Sequence, residues 1–160
     1  MLRRTRLKKK SDSPTAKCKE RIQALCRAIG IKRDGGCILN PYQGQDGIPQ
    51  CNGYRKDGEL ILQYDHLNSR AHNVSYADTR LGVILCKGHH GWKSFTDNNK
   101  KKYDILVRTI IGPDRTALWD KVEKDTKTYP MGLFDWTKQE WALDQELSTY
   151  GDLTDTERSL

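Results

Sequence analysis

An apolar run at residues 80–86, RLGVILC, continues directly into KGHHGWK and constrains the fold of this chain more than any other segment. The run is short and rich in aliphatic side chains, which predicts a buried strand. Cys86 and His89 follow the spacing C-x-x-H, with which a tight turn can bring a thiolate and an imidazole onto one zinc ion. We therefore expect a strand, a metal-binding turn and a short helix that begins near His89 or His90 and ends at Phe95.

Cysteine usage also favours a metal site. The chain has five cysteines, and an odd number without a secretory signal argues against a disulfide framework. Cys18 and Cys26 lie on the apolar face of a predicted helix, where thiols are expected to be buried as small hydrophobic side chains. Cys37 and Cys51 therefore complete a predicted Cys3His zinc set with the C-x-x-H pair. The alternative is a group of buried thiols beside a surface histidine.

The rest of the pattern predicts helices around two strands. Ser13 and Pro14 are typical of a helix start, and the glycines after Asp34 are typical of its end. The first of the two strands is predicted at residues 59–66, ELILQYDH. Further helices are predicted at 100–111, 114–125 and 135–149, with Gly112 and Pro113 between the first two and with Trp136, Trp141, Leu143 and Leu147 as the apolar contacts of the last. The predicted fold class is α+β.

Asp65 and His66 close the first predicted strand, and His90 directly follows the C-x-x-H turn. Because consecutive side chains diverge, His90 is expected to point away from a zinc ion on His89 and toward the strand end. A carboxylate and an imidazole can hold a divalent ion, and a neutral histidine can take a proton from an attacking water. One histidine alone is more often structural, but the D-H and H-H dipeptides together indicate a hydrolytic site.

The segments YDHLNSR at 64–70 and GVILCKGHHGWK at 82–93 resemble the HNH, or ββα-metal, endonuclease family. That family commonly has D-H on its first strand and L-C-x-x-C-H-x-x-K leading into its helix. The resemblance covers residues 37–95, extends loosely to about residue 125, and is greatest to phage-type members, including those linked to recombination. It implies a small ββα-metal core with a zinc knuckle, flanked by helices.

The resemblance implies a role for each matching residue. Asp65 and His90 would bind a catalytic divalent ion, and His66 would be the general base. The C-x-x-H pair would bind structural zinc, with its histidine where the family usually has cysteine. Lys93 would lie near the scissile phosphate.

Two features depart from the family pattern. The middle Asn of the motif usually stands about five residues before the cysteine turn, where this chain has Leu81. Asn73, Asp78 or backbone groups could take that role. The second departure is the long separation of Cys37 from Cys51, which have thirteen residues between them.

The distribution of charge predicts three parts. The net charge is +7, and residues 1–10 carry six basic side chains and no acidic one. Residues 131–160 carry two basic and seven acidic side chains. We therefore expect a disordered basic arm at 1–12 and an acidic C-terminal helix and tail at 131–160, and the resemblance implies an HNH endonuclease domain at 13–130, with its N-terminal helix and helical follow-on.

A basic arm and a basic middle suit the phosphate backbone of DNA, although a solvated charged surface is the alternative. The candidate DNA contacts are Arg3, Arg4, Arg6, Arg70, Arg80 and Lys93.

The sequence thus predicts a DNA endonuclease with structural Zn2+ and a catalytic ion such as Mg2+, Mn2+ or Ni2+. The alternative is a non-catalytic zinc-binding module for nucleic acid, and a weaker one is a protein-interaction module that uses the acidic end. No apolar run approaches the ~20 residues of a membrane helix, so the expected location is the cytoplasm, of the host if phage-encoded. The pattern leaves monomer and homodimer open.

Overall fold

The computed structural model describes residues 13–68, 73–125, 127 and 129–151. The predicted basic arm with Arg3, Arg4 and Arg6 lies outside these residues, as do Arg70 and the end of the tail. In chain order the described residues form helix α1 (Pro14–Asp34), strands β1 (Leu62–His66) and β2 (Gly82–Cys86), and helices α2 (Lys87–Trp92), α3 (Asp97–Lys124) and α4 (Leu133–Ser148). The predicted α+β class is confirmed. No helix among these residues is long and apolar enough to cross a membrane.

Helix α1 begins and ends where its capping residues predict. The Ser13 hydroxyl accepts a hydrogen bond from the Ala16 N–H at 3.2 Å, and Pro14 occupies the first turn. At the other end Gly35 adopts a left-handed conformation with φ 68°, and its N–H donates to the Ile31 carbonyl. A residue without Cβ takes this conformation at little cost, so the helix stops there.

Strands β1 and β2 form an antiparallel pair in which Leu62 lies opposite Cys86 and His66 lies opposite Gly82. Both strands start later than predicted. Residues 53–61 form a separate small hairpin, in which the Ile61 N–H donates to the Gly53 carbonyl at 2.9 Å. Before β2, Asp78 caps a single 3-10 turn at Thr79–Leu81.

The sheet divides the apolar interior into two clusters, because alternate side chains of a strand point to opposite faces. On one face Tyr64 and Ile84 pack with α1 and α4. On the other face Val83 and Leu85 pack with α3. Every residue of β2 is buried since both faces are covered, which is why this strand is apolar throughout.

Helix α3 is kinked where Gly112 and Pro113 predict a break. Gly112 has φ 80° and ψ 175°, which interrupts the helical path between the two halves. The helix starts at Asp97, three residues earlier than expected, because the Thr96 hydroxyl caps it by accepting from the Asn99 N–H. The two halves can therefore pack on the same face of the sheet.

Helix α4 packs against α1, with Trp136, Leu143 and Leu147 buried as predicted. The expectation that Trp141 joins them is wrong, because its side chain is 65% exposed while Trp136 is 1% exposed. At roughly 100° per residue, Leu143 and Leu147 fall within about 20° of Trp136, whereas Trp141 lies about 140° away. Helical geometry thus places Trp141 on the outer face.

Candidate metal centre and neighbouring cleft

Cys37, Cys51, Cys86 and His89 come together at the start of α2, where their ligand atoms all lie within 4.8 Å of one another. The His89 Nδ1 atom is 3.2 Å from the sulfurs of Cys37 and Cys86 and 3.7 Å from that of Cys51. Sulfur and nitrogen ligands of one tetrahedral zinc ion are about 3.6 Å apart. This Cys3His cluster could bind a metal ion such as zinc, and the predicted grouping of the four residues is confirmed.

The long segment between Cys37 and Cys51 folds back on itself and so returns the second thiol to the first. The Gly44 N–H donates to the Ile48 carbonyl at 2.8 Å, which closes the loop. The Gln43 side chain then accepts a hydrogen bond from the Cys51 N–H at 3.1 Å. A separation that is long in sequence is therefore short in space.

Gly88, inside the C-x-x-H turn, allows the loop around Cys51 to approach. Its N–H donates to the Asn52 carbonyl at 3.2 Å, and a Cβ at this position would collide with the Asn52 side chain. An added side chain at this position would have to displace the end of the Asn52 side chain.

The orientation of the His89 ring is set by the backbone. Its Nε2 lies 2.7 Å from the Pro49 carbonyl, and because a carbonyl can only accept, Nε2 carries the proton and donates it. The neutral ring then presents the Nδ1 lone pair to the three sulfurs. Such an outer hydrogen bond is the usual way in which a metal-binding imidazole is oriented.

Burial shifts the pKa values of Cys37, Cys51 and His89. It raises the pKa of the Cys37 thiol, and burial together with the neighbouring Cys37 raises the pKa of the Cys51 thiol to about 12. Burial lowers the pKa of His89. Three thiolates at this spacing therefore need a bound cation, which would displace their protons.

His90, the next residue of α2, points away from the cluster as expected. His89 is fully buried, whereas the His90 side chain is 36% exposed and its Nε2 lies 3.4 Å from Asp65 Oδ1. The two histidines thus belong to different sites, because successive helical side chains diverge by roughly 100°.

The Asp65 carboxylate is buried and has three partners. Oδ1 faces both His90 Nε2 and the Lys93 ammonium, while Oδ2 accepts a hydrogen bond from the Tyr103 hydroxyl at 2.5 Å. Burial by itself would raise the pKa of this carboxyl, but His90, Lys93 and Tyr103 together outweigh it and lower the pKa. Asp65 is therefore held as an anion.

His66 follows Asp65 on β1 and points to the opposite face of the strand. Its ring lies between Tyr64, which it meets edge to face, and Tyr76, to which it is tilted by 31°, with centroids 5.0 and 5.2 Å away. Its Nε2 donates to the Tyr76 carbonyl at 3.1 Å, so the neutral ring keeps its lone pair on Nδ1. His66 and His90 both line one open cleft of about 330 Å³.

Other predicted site residues lie elsewhere. Arg80 pairs with the Asp78 carboxylate at 2.7 Å and lines a groove against α4, away from the cleft of His66 and His90. Asn73 donates to the Tyr129 carbonyl at 3.0 Å, and Leu81 is buried in the core. Asn73 and Asp78 are thus both engaged with partners outside the cleft, and their suggested role in place of the middle Asn stays a prediction.

Two further groups at the site could not be predicted from local sequence. Tyr103 fits the apolar face of a predicted helix, and its hydroxyl contact with Asp65 depends on the packing of α3 against β1. The Pro49 carbonyl lies in an irregular loop, which carries no pattern that would indicate a partner for His89.

Comparison with known proteins adds no assignment, since no family model, no curated protein and no solved structure matches this chain.

Proposed function

We propose that this protein is a metal-dependent DNA endonuclease that hydrolyses phosphodiester bonds. The observation that carries the proposal is the position of Asp65 Oδ1 at 3.4 Å from His90 Nε2, with His66 next to Asp65 on the same strand. The three side chains come from two elements, β1 and α2, that the sheet holds side by side.

The carboxylate and imidazole fit a divalent ion. Neighbouring ligands of an octahedral ion such as Mg2+ are about 3 Å apart, which a small shift of the 3.4 Å pair would reach. Asp65 and His90 would hold such an ion (Mg2+, Mn2+ or Ni2+), leaving its other positions for water and phosphate. The bound ion would neutralise phosphate charge and stabilise the leaving oxygen.

His66 would be the general base of the reaction. The Tyr76 carbonyl accepts the proton of Nε2, so Nδ1 is the nitrogen that would take a proton from water. Nδ1 is buried, so substrate binding must open a path for that water. The contacts with Tyr64 and Tyr76 set the orientation of the ring before substrate binds. This arrangement suits direct attack by water without a covalent intermediate.

The same assignment makes β1, β2 and α2 a ββα-metal core of the HNH type. An antiparallel pair followed directly by a short helix supports it, as does the Cys3His cluster at the start of that helix. In this proposal zinc in the cluster is structural, because all four of its ligand positions are filled by protein. The net charge of +7 favours DNA as the partner.

Plasmid cleavage tests the proposal. We expect wild-type protein to nick or linearise supercoiled plasmid with Mg2+ or Mn2+ and to stop when EDTA is added. His66→Ala should lose about 10²- to 10⁴-fold in rate while keeping its zinc content and circular dichroism spectrum. Ile105→Ala, at an exposed position of α3, is the matched control and should cut normally.

A second candidate is a zinc-binding nucleic-acid module without catalysis. The Lys93 ammonium contacts Asp65 Oδ1, which is the oxygen that a divalent ion would use. In this candidate the lysine takes the place of the ion as the positive partner of Asp65. Folded, zinc-loaded protein that binds DNA but cuts no supercoiled, branched or single-stranded substrate would favour this candidate over the nuclease.

A further inference from the structure

The cleft that His66 and His90 line continues along β1 to two arginines that the sequence analysis did not select. Arg27 comes from α1 and Arg55 from the small hairpin before β1, and Gln23 and Gln63 line the same cleft. No acidic side chain is among the described residues of this lining. The cleft is therefore cationic along one side and joined to the candidate catalytic groups at its end.

Arg27 differs from the other arginines in the part of the chain that the structure describes. Arg21, Arg33, Arg80 and Arg108 each have a carboxylate within 3 Å, and Arg115 donates to two backbone carbonyls. The Arg27 Nε atom is buried and has no hydrogen-bond partner among the described residues. Burial, and then the charge of Arg55, lower the pKa of its guanidinium.

The buried Nε of Arg27 is thus a donor with no acceptor among the described residues. Arg55 cannot serve as the missing acceptor, because it carries the same charge as Arg27. Its own acidic neighbour is Glu59, at 3.6 Å. A buried donor left without an acceptor destabilises a fold, so such a group is retained where a ligand completes it. Two guanidinium groups and two amides match the oxygens of a phosphate, which arginine binds through paired N–H donors.

We infer that this cleft binds a phosphate of the DNA backbone next to the scissile one, with Arg27 and Arg55 as its main ligands. The inference rests on the proposed function, because it takes DNA as the substrate. β1 runs beside the cleft and rises about 3.3 Å per residue. The sugar-phosphate backbone of one DNA strand could therefore extend along the cleft from the arginines to His66. Contacts of this kind position the strand and read no base.

Binding of a fluorescent duplex, measured by anisotropy in Ca2+ over a series of salt concentrations, tests the site without cleavage. Arg27→Met should weaken binding about tenfold and reduce the slope of log K against log salt by about 0.9, the value for one lost phosphate contact. Arg55→Met should act in the same direction. Arg21→Met is the control on the same helix, since Arg21 pairs with Glu140 of α4 at 2.5 Å, and its slope should equal that of wild type.

A second measurement locates the phosphate. On a duplex whose cut site has been mapped, single phosphates are replaced by neutral methylphosphonates, and cleavage by wild type and Arg27→Met is compared. We expect one neutralised phosphate, adjacent to the cut, to slow wild type about tenfold and to have no further effect on Arg27→Met.

The outcomes separate the two proposals. Normal affinity and normal salt slope in both folded arginine variants would overturn the phosphate site even if wild type cuts DNA. If the arginine variants have a smaller salt slope but wild type binds DNA without cutting it, the result would support the phosphate site and count against the proposed nuclease activity. Arg27→Met removes an uncompensated cation, so its melting temperature should not fall, and a fall of several degrees would indicate a structural role instead.

Discussion

Two adjacent histidines of α2, His89 and His90, belong to regions that differ in burial and in the number of neighbouring ligand groups. His89 is fully buried and belongs to a cluster of four side chains that could bind one metal ion. His90 faces an open cleft, is 36% exposed and meets a single carboxylate. Zinc sites with four protein ligands stabilise folds, whereas catalytic sites keep positions open for water or substrate.

The difference lies in what completes each site. In the cluster, all four candidate ligands and the outer hydrogen bond from His89 to Pro49 are supplied by the protein. Only a metal ion would be required to complete this site. In the open region His90 lies beside the ionised Asp65, which also contacts the flexible side chain of Lys93. The cleft also contains Arg27, whose buried Nε has no acceptor among the described residues. The first region is therefore suited to stabilising the fold, and the second is suited to reversible binding of ligands.

The largest effect is expected from breaking the closed region. Cys86→Ser should remove zinc and lower the melting temperature by at least about 10 °C, because binding energy of a structural zinc ion is also folding energy. Zinc content by mass spectrometry and a thermal melt measure this. Cys26→Ala, at a buried thiol outside the cluster, should keep its zinc; equal damage in both variants would mean that the cluster has no special role.

The next effect should appear in the open region alone. His90→Ala should reduce cleavage about 10³-fold, which corresponds to about 4 kcal/mol, while zinc content is retained and the free energy of unfolding changes by less than about 1 kcal/mol. Parallel cleavage assays and urea titrations measure both quantities. Loss of zinc from this variant would remove the distinction between the two histidines.

Lys93→Met sharpens the comparison by removing the cation from Asp65. A buried carboxylate that loses its charged partner should destabilise the fold by about 3 kcal/mol, and added Mg2+ should restore part of this by binding the folded state. Urea titration with and without Mg2+ measures the effect, with the exposed Lys101→Met as control. If the free energy of unfolding of Lys93→Met is the same with and without Mg2+, the result would favour the non-catalytic candidate.

The smallest effect is expected at Tyr103. Tyr103→Phe removes one donor from buried Asp65 Oδ2 and should cost about 1 kcal/mol in the free energy of unfolding. The matched change is Tyr129→Phe, whose hydroxyl donates to exposed Asp125 at 2.8 Å and whose loss should change stability by less than about 0.5 kcal/mol. If the two variants lose equal stability, Asp65 does not depend on Tyr103.

Local chemistry made much of the fold predictable. Ser13, Pro14 and Gly35 define the ends of α1 through interactions within one helical turn, and Gly112 interrupts α3 through its own backbone. The error at Trp141 arose because an apolar residue was assumed to face inward, whereas the geometry of α4 places it on the outer face. The strand starts were predicted too early because the 53–61 hairpin and the turn at Thr79–Leu81 depend on longer contacts.

The α+β class, the pairing of Cys86 with His89 and the divergence of His90 from that pair follow from local pattern, because spacing within a turn limits where neighbouring side chains can point. Cys37 and Cys51 were predicted by excluding the two helical cysteines. The groups around these residues depend instead on tertiary packing. Lys93 and Tyr103 reach Asp65 because α2 and α3 pack on one face of β1, and Arg27 meets Arg55 because α1 covers the other. Contacts between distant segments depend on how whole elements pack, and no local pattern encodes that packing.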